Sequence, residues 1–306
     1  MAILNVETRL GSLLAICDEL SVLGRPVPKN ELVKRCMAGI ERDPNGRTVG
    51  TINSFNNVDK GVGLFEENKQ DNDKIWFAKK YEKLAKLDNE ERRLELPVIL
   101  RNLLFNGDAT DNFTTDNTGM NDVNRIFAWL LAQDPYNTSL ENKALFDLEN
   151  EQLGSVETRV LNSNSSRMPN VRNWGHYLGF LTPISDDYMI DPTRAIQASL
   201  DDIFGDKVEI EGPKFLKSLA KKIPIIDEGA YRVKVEETLL NTAVWEQPSE
   251  GFLSKSLSLA LWRLDINPKI NFDLEHRADA RGIKKLSPPP GQSEKAFSHV
   301  VRNKDD

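Results

Sequence analysis

Leucines recur at spacings of three and four along residues 4–23, which is the pattern of an amphipathic helix. Gly24 ends this helix, and Pro28 opens a second helix over residues 29–37, because proline is suited to the first turn of a helix. Residues 48–60 place apolar side chains on one side and amides elsewhere, which predicts a third helix with a polar exposed face. The N-terminal part of the chain therefore predicts three short helices.

Two short apolar runs, residues 64–65 and 75–77, flank a charged stretch after the third helix and predict a β-hairpin. Three helices followed by a hairpin is the order of a winged helix-turn-helix, in which the third helix enters a major groove and the hairpin loop touches the adjacent backbone. We expect this domain over residues 1–85. Because asparagine pairs with adenine and lysine binds phosphate, its polar residues are candidate DNA contacts. They are Arg47, Thr48, Asn53, Asn56, Asn57, Lys60, Lys69 and Lys74.

A protein-binding role is the alternative for this first domain. Winged helices also serve as protein-docking modules, and the predicted hairpin carries Glu66, Glu67, Asp71 and Asp73 beside its lysines. Carboxylates repel phosphate, so the sequence leaves both interpretations of this domain open.

Residues 86–162 predict a helical region that is interrupted by a loop. Apolar positions recur at helical spacing on both sides of residues 106–121, whereas that segment itself is rich in Asn, Asp, Thr and Gly. Such a composition predicts a mobile surface loop. The acidic run over residues 141–151 predicts a solvated helix face.

The order of a helix followed by a hairpin recurs over residues 163–210. A helix through Trp174 precedes two short strands, at residues 179–185 and 187–191, and we interpret Trp174 as a core residue rather than a base-stacking platform. Asp191-Pro192-Thr193 then opens another helix. The polar residues of this second winged-helix-like unit that we regard as candidate DNA contacts are Arg167, Arg172 and Asn173.

Residues 211–306 predict a third winged-helix-like unit. A leucine-rich helix over residues 253–264 is followed by a predicted hairpin of residues 270–277 with residues 283–286, and residues 297–301 are expected to add a strand beside it. This third wing is the most basic of the three, so it is the best single candidate for binding phosphate. The candidate contacts of this unit are Lys255, Arg263, Arg281, Lys284 and Lys285.

Composition places the chain among ordinary soluble globular proteins. Its 306 residues are enough for two or three folded units, with 39% hydrophobic and 28% charged residues. The net charge of −7 argues against a protein that coats nucleic acid indiscriminately. Residues 1–85 carry a net charge of +1, residues 86–250 of −11 and residues 251–306 of +3. An acidic middle between near-neutral ends is typical of a protein with several interaction surfaces.

Several classes of protein and of site are not expected. No apolar stretch approaches the roughly 20 residues that cross a bilayer, and the N-terminus lacks the basic start of a secretory signal. With only Cys17 and Cys36, the chain predicts neither a disulfide framework nor a cysteine zinc site, and we expect reduced thiols in the cytoplasm.

Catalytic patterns are also missing from the sequence. The three histidines, His176, His276 and His299, are too scattered to propose a metal site. Gly61-Val-Gly63 lacks the Lys-Ser/Thr that completes a phosphate loop. Residues 209–214 contain two glutamates and a lysine but not the Glu-x-Lys spacing of metal-dependent nucleases. We therefore expect a protein that is not an enzyme and that needs no cofactor.

Short motifs in the second half of the chain indicate a more specific relationship. They are Asn173-Trp-Gly-His-Tyr-Leu-Gly-Phe180, Asp191-Pro-Thr-Arg-Ala-Ile196, Ser258-Leu-Ala-Leu-Trp-Arg-Leu264, His276-Arg-Ala-Asp-Ala280 and Phe297-Ser-His-Val300. With these motifs the chain resembles the DpdG proteins, which accompany bacterial gene clusters that insert 7-deazaguanine derivatives into DNA and police them. The resemblance implies a role in defence against foreign DNA, alongside helicase and ATPase partners, and it supplies no catalytic residues.

The expected fold is mainly α with small β-hairpins, built from tandem winged-helix units around a helical middle region. The expected function is that of a non-enzymatic DNA-recognition or adaptor subunit of a restriction-type defence complex. Its partners would be double-stranded DNA and protein subunits that include an ATPase or a helicase, and no membrane. Two alternatives are a kite-like accessory subunit of a chromosome-organising ATPase and a winged-helix transcriptional regulator.

Overall fold

The structure is a computed structural model of the whole chain. It describes residues 3–37, 46–56, 61–68, 73–106, 120–154, 159–161, 166–240, 242, 244–277 and 279–302. The chain divides into two compact units. Unit 1 comprises Met1–Leu104, Asp116–Val123 and Ser166–Trp174, and unit 2 comprises Phe105–Thr115, Asn124–Ser165 and Gly175–Asp306.

Unit 1 contains the three helices and the hairpin that the N-terminal sequence predicts. Its strands form one antiparallel sheet in the order β1-β3-β2. Its elements, in chain order, are α1 (Leu10–Leu23), β1 (Val27–Pro28), α2 (Lys29–Cys36), α3 (Arg47–Phe55), β2 (Phe65–Asn68), β3 (Lys74–Phe77), a 3₁₀ helix (Lys79–Lys86) and α4 (Asn89–Leu104).

Helix α1 begins at Leu10, six residues later than the leucine spacing predicts. Residues 3–9, which we call the N-terminal segment, form turns instead, because their backbone groups bond to side chains elsewhere in unit 1. The helix ends at Gly24, whose φ of 61° is a left-handed conformation that glycine adopts without strain.

Aromatic side chains fill the centre of unit 1. The rings of Phe55 and Trp174 stack with centroids 5.7 Å apart, and both side chains are fully buried. Trp174 is therefore a core residue, as predicted, and it is not available as a platform for a nucleobase.

Unit 2 holds most of the remaining helices and three small antiparallel sheets. Helices α5 and α7 cross the boundary between the units, so their first residues belong to unit 1. The helices are α5 (Asn121–Leu131), α6 (Asn142–Leu153), α7 (Met168–Leu178), α8 (Thr193–Gln197), α9 (Leu200–Phe204), α10 (Gly212–Lys222), α11 (Ala230–Leu239) and α12 (Lys255–Asp265). The strands are β4 (Leu181–Ile184), β5 (Asp187–Ile190), β6 (Glu209–Glu211), β7 (Asp273–Glu275), β8 (Lys284–Leu286), β9 (Lys295–Phe297) and β10 (His299–Val301).

The second predicted hairpin is present, but the pairing predicted for the third is wrong. Strand β4 pairs with β5, whereas β7 pairs with β10 and β8 pairs with β9. The reason is burial: in the β6-β10-β7 sheet, Val300 lies between Ile210 and Leu274, and all three side chains are buried. Long-range burial of this apolar row outweighs the local turn that a β7–β8 hairpin requires.

The coarse fold class, mainly α with small antiparallel sheets, is confirmed. The division into four regions, at residues 1–85, 86–162, 163–210 and 211–306, stays a prediction. Most of the predicted loop over residues 106–121 lies outside the described residues, and α5 begins at Asn121. Among the residues that the structure describes, no helix has both the length and the apolar character to cross a bilayer.

Candidate nucleic-acid interface

The predicted recognition helix α3 is covered on one side by the N-terminal segment. The Thr51 hydroxyl accepts a hydrogen bond from the backbone N–H of Arg9 at 3.1 Å, and the hydroxyls of Thr8 and Ser54 lie 2.9 Å apart. At Gly50, an added Cβ would lie only 2.7 Å from Cβ of Glu7. The N-terminal segment therefore occupies this side of α3 at van der Waals contact.

Two buried side chains hold the N-terminal segment in this position. The carboxylate of Asp122 accepts hydrogen bonds from the backbone N–H groups of Ile3 (3.2 Å) and Leu4 (2.7 Å). Burial raises the pKa of Asp122 to about 6. The amide nitrogen of Asn170 lies 2.7 Å from the carbonyl oxygen of Asn5, 3.0 Å from that of Thr8 and 3.3 Å from that of Leu4.

The asparagines that were predicted to read bases bond within unit 1. The ammonium group of Lys29 donates to the amide oxygen of Asn53 at 2.7 Å and lies 3.6 Å from the Glu67 carboxylate. Asn56 donates from its amide nitrogen to the same carboxylate at 3.1 Å. A protein–DNA contact by Asn53 or Asn56 therefore has to displace bonds that already join α2, α3 and strand β2.

The other predicted contacts of the first domain differ in their accessibility. Arg47 is half-buried at the start of α3, and its Nε is buried without a hydrogen-bond partner in the described part of the chain. Thr48 is buried, and Lys74 is half-buried in β3. Asn57, Lys60 and Lys69 lie outside the described residues.

The three candidates near α7 differ in their contacts and in their accessibility. The guanidinium of Arg167 donates to the side-chain oxygen of Asn5 at 2.9 Å, so it holds the N-terminal segment. Arg172 is half-buried on α7, and Asn173 beside it is exposed.

Most of the C-terminal cations contact a carboxylate. Arg281 differs from the others, because it is exposed and has no ion-pair partner among the residues described. Lys285 additionally lies over the ring of Phe252, at 5.0 Å from its centroid. The ion pairs are Lys255 with Asp134 (2.7 Å), Lys284 with Glu228 (3.0 Å), Lys285 with Glu294 (3.4 Å), and Arg263 with Asp191.

A further basic element, which the sequence reasoning missed, directly follows the first hairpin. The 3₁₀ helix Lys79–Lys86, which we call the lysine segment, has four lysines among its eight residues and is anchored by buried Tyr81 and Leu84. Lys83 pairs with Glu95 at 2.9 Å. Lys79, Lys80 and Lys86 are exposed, and among the described residues no carboxylate forms an ion pair with their ammonium groups. The Glu66 carboxylate accepts a hydrogen bond from the backbone N–H of Lys79 at 3.2 Å. The high proportion of lysine in this segment can be read from the sequence alone.

The groups that were considered for catalysis are engaged in structural contacts. Both oxygens of Glu209 accept hydrogen bonds from the guanidinium of Arg277, at 2.8 and 2.7 Å, and these bonds lower the pKa of Glu209. Glu211 pairs with Lys214 at 2.8 Å. Within the described ranges, no group of three or more His, Cys, Asp or Glu side chains is placed to hold a metal ion.

The two cysteines are free thiols with suppressed reactivity. Burial raises the pKa of Cys36 to about 12 and raises that of the fully buried Cys17 further. A thiol reacts as its thiolate, and burial disfavours the charged form of both groups.

Comparison of the chain with known protein families gives a match. No curated protein and no solved structure matches the chain. A family model described as DpdG-like matches residues 1–280, which is nearly the whole sequence. The chain therefore belongs to the DpdG-like family.

Proposed function

We propose that this chain is a non-enzymatic DNA-recognition and adaptor subunit of a bacterial defence complex. Its family membership suggests involvement in the Dpd system of 7-deazaguanine modification. In that setting, the chain would bring DNA and protein partners together, and the partners, including an ATPase or a helicase, would supply the chemistry.

Unit 1 is the part of the chain that we assign to DNA, as a winged-helix module. Its elements follow the order α1, β1, α2, α3, β2, β3, and β1 lies beside β3 in the sheet. This is the order of helices and strands in winged helix-turn-helix proteins, several of which bind duplex DNA. The finer assignment of tandem winged helices in the rest of the chain is part of the same proposal.

The DNA contact that we propose is to phosphates rather than to base edges. The polar side of α3 is covered by the N-terminal segment, and its asparagines bond to Lys29 and Glu67. The observation that carries the proposal is the lysine segment. In it, Lys79, Lys80 and Lys86 are exposed, and their ammonium groups form no ion pair with a carboxylate in the described part of unit 1. Phosphate contacts give affinity that depends on salt but carry no sequence information.

The test is the binding of a short fluorescent DNA duplex, followed by anisotropy at several salt concentrations. We expect the wild-type protein to bind the duplex and to lose affinity as salt rises. Changing Lys79, Lys80 and Lys86 together to Glu should reduce the slope of log affinity against log salt by about three units, or about 0.9 per phosphate contact. A wild-type protein that does not bind the duplex even at low salt would overturn the proposal.

A second candidate is a kite-like accessory subunit that contacts protein only. The covered polar side of α3 favours it, because a helix that is occupied in this way is not presented to a major groove. Stable co-purification with an ATPase of the same system, without any shift of DNA by the chain or by the complex, would favour this candidate over the first.

A further inference from the structure

A groove of about 750 Å³ lies within unit 2, which is a size typical of ligand-binding clefts. One wall is the loop over residues 132–139 that follows α5. A second wall is the face of α6 that carries Ala144, Leu148 and Gln152, and the third is the extended stretch over residues 244–249. Helix α12 and the residues that follow β8 complete the lining.

The walls of this groove are fixed by hydrogen bonds. The indole N–H of Trp245 donates to the carbonyl oxygen of Ala132 at 3.0 Å, which ties the extended stretch to the loop after α5. The ammonium group of Lys255 donates to Asp134 at 2.7 Å across the same region. A groove that is already formed requires little ordering when a ligand binds.

The lining combines apolar and acidic side chains. Leu148, Trp245, Phe252 and Pro288 provide apolar contact area. The only cation among the lining residues is Lys255, and it is already paired with Asp134. The lining carboxylates are Asp134, Glu246 and Glu294, of which Asp134 pairs with Lys255 and Glu294 with Lys285.

Further carboxylates border the groove on α6. Glu151 lies one position before Gln152 of the lining face, and Asp147 and Glu141 are three positions from other members of that face. All three side chains are exposed, as is Glu246 on the opposite wall. Residues three or four positions apart are neighbours on a helix, so these three carboxylates outnumber Lys143, the one lysine of α6, which lies beside Ala144. Together with Glu246 on the opposite wall, they give the rim a net negative charge.

We propose that this groove binds a short basic segment of a protein partner, in which Lys or Arg side chains alternate with apolar ones. The apolar side chains would contact the groove itself, and the basic ones would meet the carboxylates of the rim. Nucleic acid is not the occupant, because its phosphates would face these carboxylates. The inference rests on the adaptor role proposed above and names the class of protein partner that the adaptor takes.

The test uses two fluorescein-labelled peptides with the full-length protein. One peptide alternates lysine with leucine, and the other has glutamate in place of each lysine. We expect anisotropy to show binding of the lysine peptide only, with an affinity that decreases as salt rises. Equal binding of both peptides, or no binding of the lysine peptide, would overturn the inference. Neither result affects the DNA assay, so a failure here is distinguishable from a failure of the DNA-binding proposal.

Two variants locate the binding. Glu151→Lys combined with Glu246→Lys reverses charge on both sides of the groove and should weaken binding about tenfold, because two attractions become repulsions. Ala144→Trp fills the groove without changing charge and should weaken binding to a similar extent. Ala144 is exposed, so this second variant does not disturb a buried core.

The matched control is Asp186→Lys combined with Asp206→Lys, which makes the same charge change at exposed positions outside the lining. The control should change affinity less than twofold. If it weakens binding as much as the groove variants do, the interaction is one of overall charge and the inference fails. Sedimentation of the wild-type protein tests a second copy as occupant: self-association that is lost in the Glu151→Lys, Glu246→Lys variant would also overturn it.

Discussion

The lysine segment of unit 1 and the basic residues near β8 of unit 2 have similar numbers of cations but differ in what surrounds them. The ammonium groups of Lys79, Lys80 and Lys86 form no ion pair in the described chain, whereas Lys284 and Lys285 pair with Glu228 and Glu294. A cation that is already paired with a carboxylate attracts an approaching phosphate less strongly. The number of lysines and arginines in a stretch of sequence is therefore a poor measure of the charge that the folded surface presents.

The first test compares the effects of two triple charge reversals on duplex binding. Lys79→Glu, Lys80→Glu and Lys86→Glu together should weaken duplex binding about a hundredfold, because three phosphate contacts become repulsive. Arg281→Glu, Lys284→Glu and Lys285→Glu make the same change in net charge. This C-terminal variant should weaken binding less than tenfold in the same anisotropy assay. The reverse order of the two effects would show that the C-terminal strands bind the DNA.

The second test asks whether the N-terminal segment controls DNA binding. Because the pKa of Asp122 is raised to about 6, the folded protein binds more protons than the unfolded chain between the ordinary pKa of an aspartate and pH 6. Its free energy of unfolding should therefore fall by about 2–3 kcal/mol from this group as pH rises through that range. Burial raises the pKa of Glu149 to about 7, so this group should also lower the free energy of unfolding as pH rises.

Chemical denaturation at several pH values measures this dependence, with Asp122→Asn as the variant in which the contribution of Asp122 is absent. Asp122 is buried and the lysine segment does not contain it, so DNA affinity measured over the same pH range should not follow the titration of Asp122. If affinity for the duplex rose or fell with the protonation of Asp122, release of the N-terminal segment from α3 would be part of DNA binding.

A third test removes the partners of the C-terminal lysines. Glu228→Gln combined with Glu294→Gln should increase duplex affinity about threefold to fivefold, because Lys284 and Lys285 lose their compensating charges. The matched control is Asp186→Asn combined with Asp206→Asn, which makes the same change in net charge at exposed positions away from these lysines and should give a smaller increase. Unchanged affinity in the double variant would mean that these ion pairs do not limit phosphate binding.

The smallest effect is expected at α3. Asn53→Ala should change duplex affinity less than twofold, since the amide oxygen of Asn53 bonds to Lys29 and the helix is covered on its other side. Competition with duplexes of different sequence measures whether any specificity is lost. A tenfold or larger loss of affinity that is confined to duplexes of particular sequence would show that α3 contacts base edges.

Local patterns predicted most helices, because an apolar stripe repeats every three to four residues wherever a helix packs on one side. The first two hairpins were also predictable from local sequence, because the two strands of each hairpin are neighbours in sequence. The pairing of β7 with β10 was not, because it joins residues that are distant in sequence and is decided by burial of Val300.

The site was less predictable than the fold. Residue type identified the cations correctly, but the charge that each presents depends on distant carboxylates, such as Asp134 for Lys255 and Glu228 for Lys284. The lysine segment is rich in lysine in the sequence, but it lies outside the helix and the hairpin loop to which the winged-helix pattern assigns DNA contacts, so that pattern does not predict it.

The attachment of the N-terminal segment through Asn170 has a consequence for the chemical ageing of the protein. The amide nitrogen of Asn170 faces the carbonyl oxygens of Leu4, Asn5 and Thr8. Deamidation would put a carboxylate oxygen in place of that nitrogen and set a negative charge against three carbonyl groups. The fold protects against this reaction, because Asn170 is buried within α7 and the helical backbone holds its side-chain carbonyl away from the next peptide nitrogen, whose attack begins deamidation.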